Sequence, residues 1–516
     1  MTQSLADRYD ERIGGMLSCY DRAVITGTLP LVCDADGMTR YLKANGIRIF
    51  DYPQFATTLR DRVRDRAASL AAETGVTIEH IAKSHVRKEA IVARVLEQRG
   101  EHPGLVHILS AMEACDSYRP WRDKATGRSF VRPDGGKCLH YYFYFLDAAF
   151  GLIYLRVPTW APFRLQFYCN GHSWLARRLT AEGIGYTMAD NAFIRIDDWP
   201  RAQELADSLS PDRLHRTLDR YAERCCPVSD VFGQSYHWSL MQAYHWSLMQ
   251  VEYATDLAFR STATLGPLYE QLIRQSVLSV KAEQVARFLG RQITPLLAQE
   301  IGSQFSTRIE GTCIKHRFGK CSIKMFDKAG KMYDKAGIVL RIETTTNDVS
   351  CFKHHRKVEH REGPPTRALA PVKKSIYSLI DLREILLGCN RRYLAHLSAL
   401  DDFSAGVRAL DRVTRPREVD GKTVKGINFF EPRDSALLNT LQNPRVNVAD
   451  IRRADLLPDL TMFSPTRLSR QPRRLLEIGV IKRVTGTYRY YLTKAGRAAI
   501  AAAGRLTEAV IIPAMI

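Results

Sequence analysis

The sequence predicts a multidomain α+β protein with a central mixed or antiparallel sheet, a helical insert within that region, and a C-terminal winged helix-turn-helix. Three observations lead to this prediction. The chain has 516 residues, which is too long for one ordinary hydrophobic core. Short β-rich runs alternate with amphipathic helical patterns before residue 400, and a basic helix-and-hairpin pattern follows. We therefore expect domains at residues 1–120, 137–400 and 428–516.

The N-terminal domain is expected to be α/β. Residues 16–25 have the composition of a strand, residues 55–74 the pattern of an amphipathic helix, and residues 75–79 that of a short strand. Residues 117–136 are polar and contain three glycines and two prolines, which is typical of a long loop. We expect the boundary to the central domain in this stretch.

The central domain is expected to contain two β-rich regions separated by helices, with residues 200–303 mainly helical. Aromatic and β-branched runs predict the strands, and apolar periodicity predicts the helices. In chain order, the other predicted elements are strands at 139–145, 151–157 and 163–168, a helix at 171–182, a strand at 191–196, a β-rich region at 308–343, and helices at 376–399.

Two short stretches occur twice in tandem. Residues 236–242 recur as 244–250, and residues 324–330 recur with one change as 331–337. Two such short copies cannot build a repeat architecture. A shift of eight residues rotates a helix by about 80° beyond two turns, and a shift of seven reverses the parity of a strand. One copy of each stretch is therefore expected to be displaced.

The C-terminal domain has the pattern of a winged helix. Ser464 and Pro465 are typical of an N-cap and a first helical position, and Gly479 is placed to end that helix. Residues 480–492 are typical of a hairpin, which would be the wing. This stretch resembles the winged helix of MarR-type regulators, whose second helix enters the major groove of DNA. Pro472 departs from the pattern and is expected to kink the helix.

The resemblance implies that basic side chains of the helix and the wing contact duplex DNA. These side chains are Arg467, Arg470, Arg473, Arg474, Lys482, Arg483 and Arg489. A second basic segment, residues 353–361, suits a phosphate backbone through His354, Arg356 and Lys357. Used for protein contacts instead, a winged helix would support a homodimer.

The charge of the chain favours a polyanionic partner. It has 75 Lys and Arg against 55 Asp and Glu, a formal net charge of +20. Because cations placed on phosphates release condensed counterions, nucleic acid is the first candidate. The sequence has no apolar run of about 18 residues and no N-terminal secretion signal. We therefore expect no membrane partner and a cytoplasmic, nucleoid-associated location.

Charged side chains are concentrated in the predicted strands of residues 308–343, although a strand normally buries one face. Residues 333–335 (Tyr-Asp-Lys) and 340–343 (Leu-Arg-Ile-Glu) are similar to the Y-D-K and R-[FI]-E strands of rolling-circle replication initiators. In those enzymes a carboxylate helps to hold a divalent metal and a tyrosine attacks the DNA phosphate. The similarity covers about fifteen residues and lacks their His-hydrophobic-His motif.

This similarity implies a set of site residues. Glu343 and Glu310 would bind Mg²⁺ or Mn²⁺, which prefer oxygen ligands. Lys335 and Arg341 would offset the charge of the phosphate. The nucleophile would be Tyr333, whose copy is Phe326, or another tyrosine of the chain. In the alternative interpretation, these side chains form a surface ion-pair network on a sheet.

A second set of carboxylates suggests an RNase H-like cluster for two metal ions. Asp21 lies in the first predicted strand, and Asp190, Glu252 and Asp256 follow downstream. Residues 253–256 look like the last motif of proofreading exonucleases, although the accompanying Asp-x-Glu is missing.

Two further candidates have less support. A zinc site from Cys313, His316, Cys321 and His354 matches no standard ligand spacing. Residues 168–172 have the composition to stack bases or contact phosphates, but aromatic strands more often belong to a core.

Segments 19–30, 137–145 and 156–166 resemble a widespread group of bacterial proteins of about this length that are labelled by their winged helix. That resemblance brings no activity with it. We expect a DNA-binding protein that nicks or transfers strands in a mobile element or replicon, as an endonuclease, transposase or replication initiator. The alternatives are a non-catalytic winged-helix transcription regulator and an RNA-binding protein.

Overall fold

The computed structural model describes the chain from residue 4 to residue 505. The gaps in this description are residues 84, 101, 190, 234–243, 292–303, 330–336, 361–362, 402–403, 443–459, 461, 486 and 488–489. The chain divides into two compact units: unit 1, Met1–Asp401, and unit 2, Asp402–Ile516.

Unit 1 is built around an eleven-stranded mixed sheet, as the sequence predicts. In chain order the strands of unit 1 are β1 (Ile13–Thr28), β2 (Ile78–Ile81), β3 (Gly104–Arg122), β4 (Ser129–Asp147), β5 (Gly151–Pro158), β6 (Leu165–Cys169), β7 (Tyr186–Ala189), β8 (Ala192–Ile196), β9 (His245–Phe259), β10 (Phe305–Glu310), β11 (Cys313–Phe318), β12 (Cys321–Ala329), β13 (Gly337–Thr346), β14 (Lys353–Val358) and β15 (Thr366–Pro371).

The strand order of the large sheet is β10-β11-β12-β13-β9-β1-β6-β5-β4-β3-β2. Neighbouring strands are antiparallel, except that β2 and β3 are parallel. The pairs β7–β8 and β14–β15 form separate hairpins. On each side of the central β1–β9 pair lies a four-stranded meander, β10–β13 on one side and β3–β6 on the other, and β2 is added at the edge beside β3.

The helices of unit 1 are α1 (Leu5–Arg8), α2 (Ala35–Ala44), α3 (Tyr52–Thr74), α4 (Lys88–Arg99), α5 (Gly171–Ala181), α6 (Trp199–Asp207), α7 (Pro211–Cys225), α8 (Ser229–Gly233), α9 (Thr262–Ser279), α10 (Ala282–Phe288) and α11 (Leu379–Asp401). Short 3-10 turns lie at Asp10–Arg12, Ile49–Asp51, Val349–Cys351 and Ile376–Ser378. No described helix of the chain is long and apolar enough to cross a lipid bilayer.

In β4, β6, β12 and β13 the main core takes its side chains from one face of the sheet. Phe143, Phe167, Ile323 and Ile342 belong to this core, together with apolar residues of α3, α9 and α11. Because successive side chains of a strand point to opposite faces, the residue after Ile342, Glu343, faces the other side. The polar positions of the central strands therefore share the face away from this core.

Two sequence predictions for unit 1 are wrong, and a third missed one strand. Residues 1–120 are not a separate domain, because β1 is paired at the centre of the sheet with β6 and β9. Most of residues 117–136, expected to be a loop, belong to the long β3–β4 ribbon, whose exposed end tolerates glycine and proline. The described residues of region 200–303 are mainly helical, as expected, but they also include the fifteen-residue strand β9, which the sequence did not predict.

The first tandem stretch was expected to lie in a helical region, but its described copy is in a strand. Residues 245–250 of the second copy of the first stretch lie in β9, and residues 324–329 lie in β12. Their other copies, 236–242 and most of 331–337, lie outside the described residues. One copy of each stretch is thus part of the central sheet, where it is paired strand to strand.

Unit 2 has its own small core, formed by residues such as Leu437, Leu468, Leu475 and Ile481. Its elements are α12 (Ser404–Thr414), β16 (Arg417–Val419), β17 (Lys422–Val424), α13 (Pro432–Gln442), α14 (Pro465–Glu477), β18 (Ile481–Arg483), β19 (Tyr490–Leu492) and α15 (Lys494–Arg505). The expected linker at 415–422 is therefore partly the β16–β17 hairpin.

Unit 2 contains a helix and a hairpin at the positions where the sequence predicts the second helix and the wing. Ser464 caps α14 by accepting a hydrogen bond from the backbone N–H of Arg467 at 3.4 Å, and α14 continues through Pro472. The β18–β19 hairpin follows. The other helix of the motif, expected at 448–457, lies outside the described residues.

Candidate metal centre

A β-bulge at the centre of the sheet places Asp21. Tyr20 of β1 lies opposite Tyr253 of β9, and Arg22 lies opposite the preceding residue, Glu252. Asp21 is therefore the extra residue of the bulge, which lets neighbouring side chains of one strand project near the same partner. The acidic side chain of β1 is thereby directed toward the acidic side chain of β9.

Strand β13 adds a third carboxylate. Glu343 lies opposite Ala254, and Thr345 lies opposite Glu252, so that Glu343 and Glu252 share a face. The carboxylate oxygens of Asp21, Glu252 and Glu343 lie within 4.8 Å of one another. The side chains are 10%, 12% and 3% exposed, respectively. Three carboxylates from three adjacent strands thus form one buried cluster.

The cluster has the electrostatics of a site that attracts a cation. Burial and the carboxylates of Glu252 and Asp21 raise the pKa of Glu343 to about 7, although Lys324 opposes the shift. The ammonium of Lys324 lies 2.6 Å from Glu343 Oε1 and 3.7 Å from Glu252 Oε1. A lysine therefore neutralises part of the charge and competes with any cation for these oxygens.

Asp21 is oriented by donors that converge on its Oδ1. His172 Nδ1 lies 3.0 Å away and Asn170 Nδ2 lies 3.4 Å away, while the amide of Asn191 donates a shorter hydrogen bond. Arg341 Nη2 lies 2.9 Å from His172 Nε2. Although burial opposes it, the neighbouring Cys19, Asp21 and Asp256 raise the pKa of the His172 ring well above its usual value.

Arg341 is buried beneath the cluster with no exposed side-chain surface. Its Nε and Nη2 each lie 2.6 Å from a carboxylate oxygen of Asp256, and Nη2 also donates to the carbonyl of Asn191 at 2.8 Å. The guanidinium lowers the pKa of Asp256 against the effect of burial. This bidentate pair supports the centre from below.

The donor set fits a hard divalent cation. All three ligand side chains offer oxygen, which Mg²⁺ and Mn²⁺ prefer. The connected cluster contains four carboxylates and two permanent cations: Asp21, Glu252, Asp256 and Glu343, with Lys324 and Arg341. The carboxyl groups of the cluster therefore outnumber its permanent cations by two.

A further cation stands beside the bulge. Arg22 is half-buried, its guanidinium lies 5.4 Å from the ring centroid of Tyr168, and its buried Nε has no hydrogen-bond partner among the described residues. Tyr168 in turn stacks on Tyr154, with ring centroids 5.1 Å apart and planes at 4°. The tyrosines therefore hold a positive charge near the carboxylates without neutralising it.

The structure joins residues that the sequence had assigned to two separate hypotheses. Glu343 came from the resemblance to replication initiators, whereas Asp21 and Glu252 came from the RNase H-like alternative. Asp256 lies below the cluster as the partner of Arg341. Tyr333, Lys335 and Asp190 lie outside the described residues.

Two of the predicted site residues have other positions. Glu310 is exposed at the end of β10, three strands away from Glu343, and is not part of the cluster. Arg341 is buried and paired with Asp256, so it cannot contact a phosphate directly. The expected zinc ligands Cys313 and His316 are three residues apart on β11, so their side chains point to opposite faces of the sheet. His316 is buried and contacts the hydroxyl of Tyr393.

Most of the predicted DNA-binding residues of unit 2 are exposed, but one of them is paired within the protein. Arg467, Arg470, Arg473, Lys482 and Arg483 are exposed, while Arg489 lies outside the described residues. Arg474 is 15% exposed and forms a bidentate pair with Asp434 at 2.7 and 2.8 Å. This pairing makes Arg474 a structural residue, because both partners are needed to satisfy a buried carboxylate.

The three DNA-binding candidates of β14 also differ in whether they contact other residues of the protein. Arg356 donates to the carbonyl of Pro371 at 2.9 Å, and His354 Nδ1 lies 3.7 Å from Asp381. Lys357 is exposed on the opposite face of the hairpin. Lys357 alone of the three therefore points freely toward solvent.

Sequence reasoning missed Arg22, Lys324 and His172 as parts of one site. The bulge at Asp21 changes which residues of β1 face the carboxylate side, and the alternation of residues in the sequence cannot reveal it.

Comparison with protein-family models, with curated proteins and with solved structures finds no match.

Proposed function

We propose that the protein is a metal-dependent enzyme that nicks or transfers DNA strands, with Asp21, Glu252 and Glu343 as the metal ligands. The observation that supports this most is the convergence of three buried carboxylates within 4.8 Å on three adjacent strands. A fold seldom buries such a cluster unless a cation compensates it. The formal charge of +20 supports a polyanionic substrate.

The side chains around the cluster have distinct roles in this proposal. Bound Mg²⁺ or Mn²⁺ would polarise the phosphodiester and offset the negative charge that develops during cleavage. His172 and the two asparagines orient Asp21, and Arg341 fixes Asp256 behind them. Arg22, a cation held on the ring of Tyr168, is placed to donate to the phosphate oxygens.

The nucleophile distinguishes two versions of the reaction. The resemblance to replication initiators assigns it to Tyr333, whose attack would leave the DNA strand esterified to the protein. Attack by water would leave a free phosphate end. Denaturing gel electrophoresis after cleavage of labelled DNA separates the two, because only the first gives a protein–DNA adduct.

Unit 2 is proposed to bind duplex DNA as a winged helix. Its support is the exposed basic surface of α14 and β18, to which Arg467, Arg470, Arg473 and Lys482 contribute. Binding there would hold the substrate and would not take part in the chemistry. The same surface also favours the alternative function, a transcription regulator that binds duplex DNA without cutting it.

The deciding experiment is incubation of the full chain with supercoiled and single-stranded DNA in Mn²⁺ or EDTA. We compare Glu343→Gln and Asp21→Asn with the matched control Glu310→Gln, an exposed carboxylate on the same sheet. We expect metal-dependent cleavage that both cluster variants lose and the control retains.

A thermal-shift measurement accompanies the cleavage assay. Mn²⁺ should raise the Tm of the wild type and of Glu310→Gln, but not that of the cluster variants, because a ligand stabilises only a fold that binds it. Duplex binding in EDTA with neither cleavage nor a Mn²⁺-induced shift would reject the enzyme and leave the regulator.

A further inference from the structure

A row of cations leads across the sheet to the metal centre. In the strand register, Arg308 of β10 lies opposite Lys315 of β11, and Lys315 lies opposite Lys324 of β12. Lys324 in turn lies opposite Glu343. Directly opposite residues of antiparallel strands share a face, so the row lies on the face that bears the carboxylates.

The row is regular. Adjacent strands are about 4.8 Å apart, so Arg308 and Glu343 are separated by roughly 14 Å of sheet. Arg317, an exposed residue two positions after Lys315, adds a fourth cation beside the row on the same face. The positive charges therefore form a line that ends at the cluster.

The outer part of this row has no ion-pair partner among the residues that the structure describes. Lys324 has the carboxylates of Glu343 and Glu252. Arg308 is exposed and Lys315 is half-buried, and within the described chain neither forms an ion pair. Glu310, on the same face, is likewise without an ion pair among those residues. Like charges directly opposite each other destabilise a sheet, so an external anion would relieve a cost that the fold leaves in place.

We propose that Arg308 and Lys315 bind successive phosphates of the nucleic-acid strand that enters the metal centre. This inference rests on the proposed function and assigns the substrate backbone to one side of the cleavage site. A linear polyanion fits a line of cations that ends at a metal cluster, since consecutive phosphates then lie over consecutive strands. On the other side of the cluster, the Tyr168–Tyr154 stack fills the same face.

The test measures binding by the full chain in EDTA, so that no cleavage occurs. Fluorescence anisotropy with labelled single-stranded and duplex oligonucleotides at several salt concentrations compares the wild type with Arg308→Gln/Lys315→Gln. The control, Arg62→Gln/Arg64→Gln, removes the same charge from exposed positions of α3. Helix α3 packs against β3, which lies at the other end of the strand order from β10 and β11.

Loss of two phosphate contacts lowers the slope of log K against log salt by about 1.4 for a single strand or about 1.8 for a duplex. We expect this reduction in slope for Arg308→Gln/Lys315→Gln with single-stranded DNA, duplex DNA or both, and no reduction for the control. The DNA form that shows the reduction is the one that binds to the row. An unchanged slope on both forms, or an equal loss in the control, would overturn the proposal. So would competition by polyglutamate as effective as that by an oligonucleotide of equal charge.

Failure of this proposal and failure of the proposed function give different results. Metal-dependent cleavage with an unchanged salt slope rejects the row and retains the enzyme. A reduced slope in a protein whose wild type never cleaves DNA retains the row as a binding site and rejects the enzyme.

Discussion

At the residue scale, Glu343 is the titrating group that should govern metal binding. Burial and neighbouring carboxylates raise its pKa to about 7, so the carboxyl holds a proton below that pH. A metal must displace this proton. We expect the apparent Mn²⁺ affinity to rise as the pH increases from 5.5 to 7, by roughly tenfold per unit at most, and to level off above pH 8. Isothermal titration calorimetry across this range checks it.

Without metal, the same group should act on stability in the opposite direction. A carboxyl whose pKa is raised on folding binds its proton more tightly in the folded state. Stability therefore falls as the pH rises from the unfolded value near 4.5 through about 7. The difference between wild type and Glu343→Gln in EDTA should follow this course, and a pH-independent difference would contradict the assigned pKa.

Arg341 should be a strong determinant of stability rather than a group that contacts substrate. Arg341→Met removes the partner of Asp256, which is 1% exposed, and leaves a buried carboxylate uncompensated. We expect a loss of about 3–5 kcal/mol in the free energy of unfolding. Urea unfolding measures it.

The double variant Arg341→Met/Asp256→Leu tests the cause of that loss. Removing both charges should restore much of the stability, since an apolar pair avoids the unpaired buried charge. A double variant no more stable than the single one would show that the loss has another origin.

At the element scale, the start of α5 has to approach the β1 bulge closely. Asn170 caps the helix by accepting from Ser173 N–H at 3.1 Å, and His172 in the first turn reaches Asp21. A Cβ atom at Gly171 would lie 2.1 Å from the carbonyl oxygen of Tyr20. Glycine at this position is therefore what allows the helix to orient Asp21, the proposed metal ligand.

Gly171→Ala should shift α5 away from β1. We expect a stability loss of about 1–3 kcal/mol from the overpacking, together with at least a tenfold weaker Mn²⁺ affinity. The control Gly266→Ala adds a methyl group to α9 where no atom lies within 4 Å. Equal effects of both substitutions on Mn²⁺ affinity would show that the approach of α5 does not position the site.

The strands also show why local composition predicted the strands and helices better than the loops that join them. Residues 117–136 contain glycine and proline at loop-like density, yet most of them pair in the β3–β4 ribbon. At the exposed end of a two-stranded ribbon, little packing opposes these residues. Tertiary pairing of the flanking strands thus overrides the local preference for a loop.

At the scale of the whole molecule, the division into two compact units predicts separable functions. A truncated chain of residues 1–401 should fold, bind Mn²⁺ with wild-type affinity and lose most of its duplex binding. Circular dichroism, calorimetry and anisotropy measure these three properties. Loss of Mn²⁺ binding on truncation would mean that unit 1 depends on unit 2 for its stability, contrary to the two separate cores.

The sequence by itself determined the α+β class, many strand and helix segments of unit 1, and the Ser464 cap of α14. These features depend on side-chain periodicity and local hydrogen bonding, which neighbouring residues specify. It also singled out Asp21, Glu252 and Glu343, because carboxylates on strands need an explanation wherever the strands lie.

Only the tertiary structure decided that these three carboxylates belong to one centre. They are separated by up to 322 positions and meet because β9 pairs with both β1 and β13 and because a bulge turns Asp21 toward Glu252. The same pairing buried Arg341 under the site and left Glu310 on the edge strand. Strand order and register depend on the packing of the whole sheet, and residue spacing along the chain does not encode them locally.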